Sequence, residues 1–133
     1  MCKHLIGIAL LVNSTVWAAT PQDLLTQYTR EAQQQAGFKS FVAARGDAFF
    51  HTSHARGQGV VSCTGCHTAD PRKPGQTPTL KRIEPMAPAV NPQRFTDAAK
   101  TEKWFRRNCQ DVLSRVCTAQ EKGDVLTYLL SLK

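Results

Sequence analysis

Two cysteines and a histidine stand together at Cys63-Thr64-Gly65-Cys66-His67, the only place in the chain where so much reactive chemistry is packed into five residues. A C-x-x-C-H run is the attachment signature of a c-type haem: the thiols form thioether bonds to the porphyrin vinyls and the histidine binds the iron. Two other chemistries use C-x-x-C. A structural zinc site needs two further ligands at matching spacing, and no second C-x-x-C and no H-x3-5-H follows. A thioredoxin-like dithiol opens a helix after a strand in an α/β pattern, and no such pattern surrounds residues 63–67. The residues therefore predict one covalently attached haem c, held by Cys63, Cys66 and His67. What occupies the second axial position decides what such a haem does.

The elements that must position this motif read as helical, which predicts an all-α fold. Thr20 caps a first helix with Pro21 at its first position; Leu24, Leu25, Tyr28 and Ala32 form its apolar stripe, which ends near Gly37. Ser40 is the expected cap of a second helix running to Phe50, with Gly46 inside it. A mid-helix glycine costs about 1 kcal/mol relative to alanine, which close approach by another helix would explain. Residues 70–92 hold six of the seven prolines and cannot form one regular helix. They predict a loop around a haem edge, with Lys73, Lys81 and Arg82 available to haem propionates or to solvent. A third helix over 97–113 carries Thr101, Trp104, Phe105, Asn108, Cys109 and Val112 at helical spacing. The last opens on the capping box Thr118-Ala119-Gln120-Glu121 and turns Val125, Leu126, Leu129 and Leu132 inward, with Tyr128 beside them. No strand-like alternation and no internal repeat is visible.

At 133 residues and 41% hydrophobic content the chain has the length of one domain. Residues 1–19 read as a secretory signal peptide: Lys3, an apolar run over 5–12, and small residues before Thr20. The domain is then 20–133. No stretch is long enough to span a bilayer as a mature helix. Cys2 precedes the apolar run and leaves with the leader, so it is not a lipoprotein cysteine. Export together with haem c points to a bacterial periplasm. The formal charge of +7 becomes +6 on cleavage. With few aromatics among the cations, nucleic acid is excluded as a partner, and an acidic redox protein or a merely solvated basic surface remain.

Four arrangements compete for the sixth position. Met86 would give the His/Met pair of many electron carriers, but it lies 19 residues after His67 in the proline-rich loop. His51 or His54 would give a bis-histidine haem. A vacant site as in c′-type bundles fits poorly, because those bundles carry the motif near the C-terminus and 66 residues follow His67 here. Asn108 is a polar amide in an apolar stripe, which must find partners or cost about 1–3 kcal/mol. Beside it, Cys109 and Cys117 are the cysteines left over for a disulfide in an oxidising compartment. Eight residues of straight helix would hold their Cα atoms about 12 Å apart, against the 4.4–6.8 Å or so that a disulfide needs. The bond thus requires the helix to break between Cys109 and Cys117, which would fix its end close to Asn108.

Ile83-Glu84-Pro85-Met86-Ala87-Pro88, Asn91-Pro92, Arg94-Phe95-Thr96-Asp97, Trp104-Phe105-Arg106-Arg107-Asn108-Cys109 and Cys117-Thr118-Ala119-Gln120-Glu121-Lys122-Gly123-Asp124 together resemble the SHP-type oxygen-binding cytochromes c. The likeness runs from the haem motif to the C-terminus. It implies a class I cytochrome c-like fold of four to five helices around one haem, with an extra N-terminal helix. It also implies His67 as proximal ligand, Asn108 as distal ligand of the ferric iron, and a Cys109–Cys117 disulfide. A dihaem cytochrome c, alongside a membrane cytochrome b, is the implied electron donor, and O2, NO or CO the ligand of the reduced haem. Met86 stands where a non-ligating apolar residue is expected. Beyond Asn108 no distal acid or base is evident, so the residues leave open whether a bound gas is turned over, and with it an oxygen- or nitric oxide-reducing activity.

Overall fold

The computed structural model describes residues 19–57 and 59–133; the leader expected over 1–19 lies, apart from Ala19, outside them. Within these residues the chain runs α1 (Pro21–Ala32), α2 (Ala43–His51), β1 (His54–Arg56), β2 (Gly59–Val61), α3 (Thr64–His67), β3 (Gly75–Gln76), β4 (Arg82–Ile83), α4 (Ala98–Leu113) and α5 (Ala119–Ser131). Helices carry the fold. The two pairs of very short antiparallel strands, β1 with β2 and β3 with β4, are departures from the strandless reading. Strands of two or three residues are too short to show a period of two, so nothing in the sequence announces them.

The expected capping box at α5 forms, and Thr20 caps α1 through a box of its own. Thr20 Oγ1 accepts from the Asp23 amide while Asp23 returns a bond to the Thr20 amide, and Thr118 and Glu121 do the same at α5. The second helix differs from expectation: it begins at Ala43, and Ser40 caps nothing. The amide of Val42 instead donates to the buried carboxylate of Asp124 on α5 (2.6 Å), which also takes the Arg45 guanidinium at 2.8 Å. A long-range carboxylate has replaced the local cap.

Contact between α2 and α5 is close because two glycines allow it. A Cβ at Gly46 would run into the Asp124 carbonyl, and one at Gly123 into the Phe41 ring. The core assembled around this crossing contains Leu24, Tyr28, Phe50, Phe95, Val125, Leu126, Tyr128 and Leu129. Leu132 only packs against its edge. Asp97 caps α4 through the Lys100 amide, and Ser114 (φ 60°) ends that helix in the left-handed conformation. The helix breaks, as required, between Cys109 and Cys117.

Candidate haem site

Cys63 to His67 form a single helical turn. The Cys66 and His67 amides both donate to the Cys63 carbonyl, at 3.3 and 3.0 Å, which sets the two thiols three residues apart on one side. The strand β3 presses on this turn: Gly75 lies so close to the Cys66 carbonyl that any side chain there would collide with it. The two sulfurs are not bonded to each other. Burial pushes the Cys63 thiol up to about 11. A redox dithiol needs the opposite shift, since the thiolate is its nucleophile. No group of three or more potential metal-binding side chains surrounds the pair among the described residues.

Burial, then the charge of Arg94, brings the His67 imidazole down to about 4, so the ring is neutral at pH 7 and keeps its nitrogen lone pair. Its Nδ1 is buried without a hydrogen-bond partner. Two unpaired thiols beside a neutral buried imidazole fit a covalent haem: the thiols could add to its vinyls and the imidazole could give its iron a lone pair. The Phe50 ring, 6.2 Å from the imidazole, connects this turn to the core.

A cavity of about 310 Å³ is lined by Met86, Arg94, Phe95, Trp104, Phe105 and Asn108, among others. Two of the four sixth-ligand candidates thus share one space. Asn108 is half-buried on α4. Next to it the Cys109 and Cys117 sulfurs lie 1.98 Å apart, with 5.6 Å between Cα atoms, the geometry of a disulfide. Met86 packs against the core, and the loop carrying it is tied down where the Met86 and Ala87 amides donate to the Pro71 carbonyl at 2.8 and 3.0 Å. The histidines are elsewhere. His51 is exposed with both ring nitrogens engaged, Nδ1 at 3.0 Å from the Asp47 carbonyl and Nε2 at 3.0 Å from that of Ala69. His54 sits on β1 near Phe49.

Trp104 departs from the sequence reading, which put it on a buried stripe. It is 43% exposed, because its face of α4 borders the cavity rather than the packed core. Arg94 was missed as a site residue. The only sequence signal was an arginine next to Phe95, and its meaning depends on burial that a sequence does not display.

The comparisons identify the family. Residues 36–129 match the family described as a domain of unknown function, DUF1924. The cytochrome c-type protein SHP of Cereibacter sphaeroides is 45% identical over 131 residues, covering 97% of this chain and 98% of its own. Cytochrome c'' of Methylophilus methylotrophus is 30% identical over 128 residues, 94% of this chain and 89% of its own. Among solved structures, oxidised SHP, described as an oxygen binding cytochrome c, superposes with a TM-score of 0.78 at 40% identity over 86% of this chain and 99% of that one. Oxidised cytochrome c'' gives 0.78 at 32% identity, over 85% and 94%. The helices, the haem-attachment turn and these relatives lead to one assignment: the chain belongs to the DUF1924 family, that of the SHP-type class I-like cytochromes c, and carries covalently attached haem c.

Proposed function

We propose that this is an exported periplasmic monohaem cytochrome, with its domain over 20–133. It accepts electrons from another cytochrome and, once reduced, binds a diatomic gas, O2 or NO, at a position that Asn108 vacates. The observation that carries the reading is Asn108 itself, an amide lining a cavity of mixed polar and aromatic residues near the end of a helix fixed by Cys109 and Cys117. When bound, the haem would supply a redox-active iron, held through Cys63, Cys66 and His67.

The remaining chemistry belongs to the chain. His67, kept neutral by burial, would hold the iron on one side. The Asn108 amide oxygen is a hard, neutral donor that prefers ferric over ferrous iron, so its hold weakens on reduction. Turned away, the same side chain presents its N–H groups to the cavity, where they can donate to a diatomic guest. Phe95, Trp104 and Phe105 supply the aromatic part of the cavity wall, beside polar residues that include Thr101 and Lys100. A dihaem cytochrome c, alongside a membrane cytochrome b, is the electron donor that suits an exported protein with this basic surface.

Met86 supports a second reading, because its side chain lines the same cavity. A permanent Met86 sulfur ligand would make the protein a simple electron carrier. Absorption spectra of the haem-loaded protein, ferric and then dithionite-reduced, with and without CO, separate the two. The Asn108 reading expects a high-spin ferrous spectrum that shifts promptly with CO, and an Asn108→Ala protein whose ferric spectrum turns high-spin or water-bound. A low-spin ferrous spectrum indifferent to CO, or an Asn108→Ala protein with an unchanged ferric spectrum, overturns it.

A further inference from the structure

We propose that Arg94 holds a haem propionate, so that one side chain ties the cofactor's carboxylate to the loop carrying Met86. Arg94 is half-buried, borders the cavity shared by Met86 and Asn108, and forms no ion pair among the described residues. Its Nε donates to the Pro85 carbonyl at 2.8 Å and its Nη2 to the Glu84 carbonyl. Those two bonds account for one edge of the guanidinium fork. They leave Nη1 without a partner among the described residues, and the anionic charge that does reach the guanidinium, that of Glu84, is already shared with Arg82.

A guanidinium withdrawn from water is costly unless an anion answers it, and two neutral carbonyls do not. The neighbouring acid, Glu84, is turned to the solvent side, where its carboxylate pairs with Arg82 at 2.8 Å. The anion that the cofactor itself brings is the propionate, and the planar fork of arginine matches a carboxylate. Arg94 is also the cation whose charge reaches the His67 ring, which places it near the attachment turn as well as the cavity.

The cations that the sequence offers for this task are less suited to it. Lys73, Lys81 and Arg82 are all exposed, and Arg82 is already paired. A solvated lysine gains little from a carboxylate that water can reach, whereas the half-buried Arg94, bonded only to carbonyls, gains an anionic partner. Since Glu84 and Pro85 directly precede Met86, the same fork would fix one wall of the cavity.

The test compares haem-loaded wild type with Arg94→Gln, Arg94→Lys and, as control, Arg82→Gln. Two properties are followed: the propionate bending bands in resonance Raman spectra, and the pH dependence of the midpoint potential. Arg94→Gln should displace a propionate band and move the redox-linked protonation to higher pH by about one unit, a tenfold weaker acid. Arg94→Lys should recover part of the pH shift while leaving the band displaced, and Arg82→Gln should change neither. A wild-type band together with a wild-type pH profile in Arg94→Gln overturns the proposal. If that variant does not fold, Arg94→Lys decides alone: a displaced band supports the contact and a wild-type band removes it. The proposal requires attached haem but not ligation by Asn108, so the Asn108→Ala spectra judge the gas-binding reading independently.

Discussion

At the scale of single residues, the site consists of groups with unmet chemical demands. Cys63 and Cys66 have thiols without partners, His67 a neutral ring with a buried, unbonded Nδ1, and Arg94 a half-buried guanidinium bonded only to carbonyls. Met86 differs, because packing against the core already accounts for its side chain. Replacing it with the isosteric leucine should therefore leave the ferric spectrum and the CO response unchanged, since a volume-conserving apolar swap costs under about 1.5 kcal/mol. A Met86→Leu protein that loses a low-spin ferrous spectrum would instead identify the sulfur as the ligand. The attachment motif was fully legible in the sequence because its chemistry is local: five consecutive residues state it. The partnering of His51 was not, since the carbonyl its Nε2 meets belongs to Ala69, 18 residues away.

Among elements, helix starts show how far local reading extends. Thr20 and Thr118 cap where the sequence places them, because each box closes within four residues. The start of α2 was misplaced because its capping group, Asp124, comes from α5, and no local pattern could point to it. The box at α5 also has a pH signature. Burial alone would raise the Glu121 carboxyl, but the Arg115 guanidinium and the Thr118 amide and hydroxyl outweigh it and hold the carboxyl below its ordinary value of 4.5. A depressed folded pKa contributes stability that is present above the unfolded value and lost as pH falls through the folded one. Glu121→Gln should accordingly lower the midpoint of urea unfolding at pH 7 by an amount worth about 1 kcal/mol. The difference from wild type should shrink below pH 4.5 and vanish once the pH passes the folded value. A pH-independent difference would mean that the carboxylate charge is irrelevant to the cap.

Across the whole molecule, a largely buried ionic cluster joins three helices. Lys122 on α5 lies 2.9 Å from Glu102 on α4, with its Nζ 4.5 Å above the ring of Tyr28 on α1. The Tyr28 hydroxyl donates to the same carboxylate at 2.5 Å. Burial and the Glu102 bond together raise the Tyr28 hydroxyl far above its ordinary pKa, so this proton stays in place. Removing Glu102 leaves Lys122 only the longer contact to Glu31 on α1, 3.7 Å away. Glu102→Gln should destabilise by about 2 kcal/mol, less than a fully buried pair would lose because Glu102 retains some solvent contact. The double change Glu102→Gln with Lys122→Met should cost less than Glu102→Gln alone, as chemical denaturation of the four proteins would measure. A double variant less stable than the single one would show the ion pair to be net stabilising. None of this cluster was visible in the sequence, where Tyr28 was one residue of an apolar stripe and Lys122 one of many cations.

The end of α4 is gripped from two directions. The disulfide holds Cys109, while Arg56, from the β1–β2 hairpin, donates to the carbonyls of Gln110 and Asp111. Asn108 thus stands on backbone with little slack, and the freedom left to it is rotation about its own side-chain bonds. Rotamer changes take picoseconds to nanoseconds, whereas shifting a helix takes microseconds or longer. An Asn108 gate built this way would open almost as soon as its hold on the iron is lost, and the arrival of the gas, rather than the motion of the protein, would set the pace.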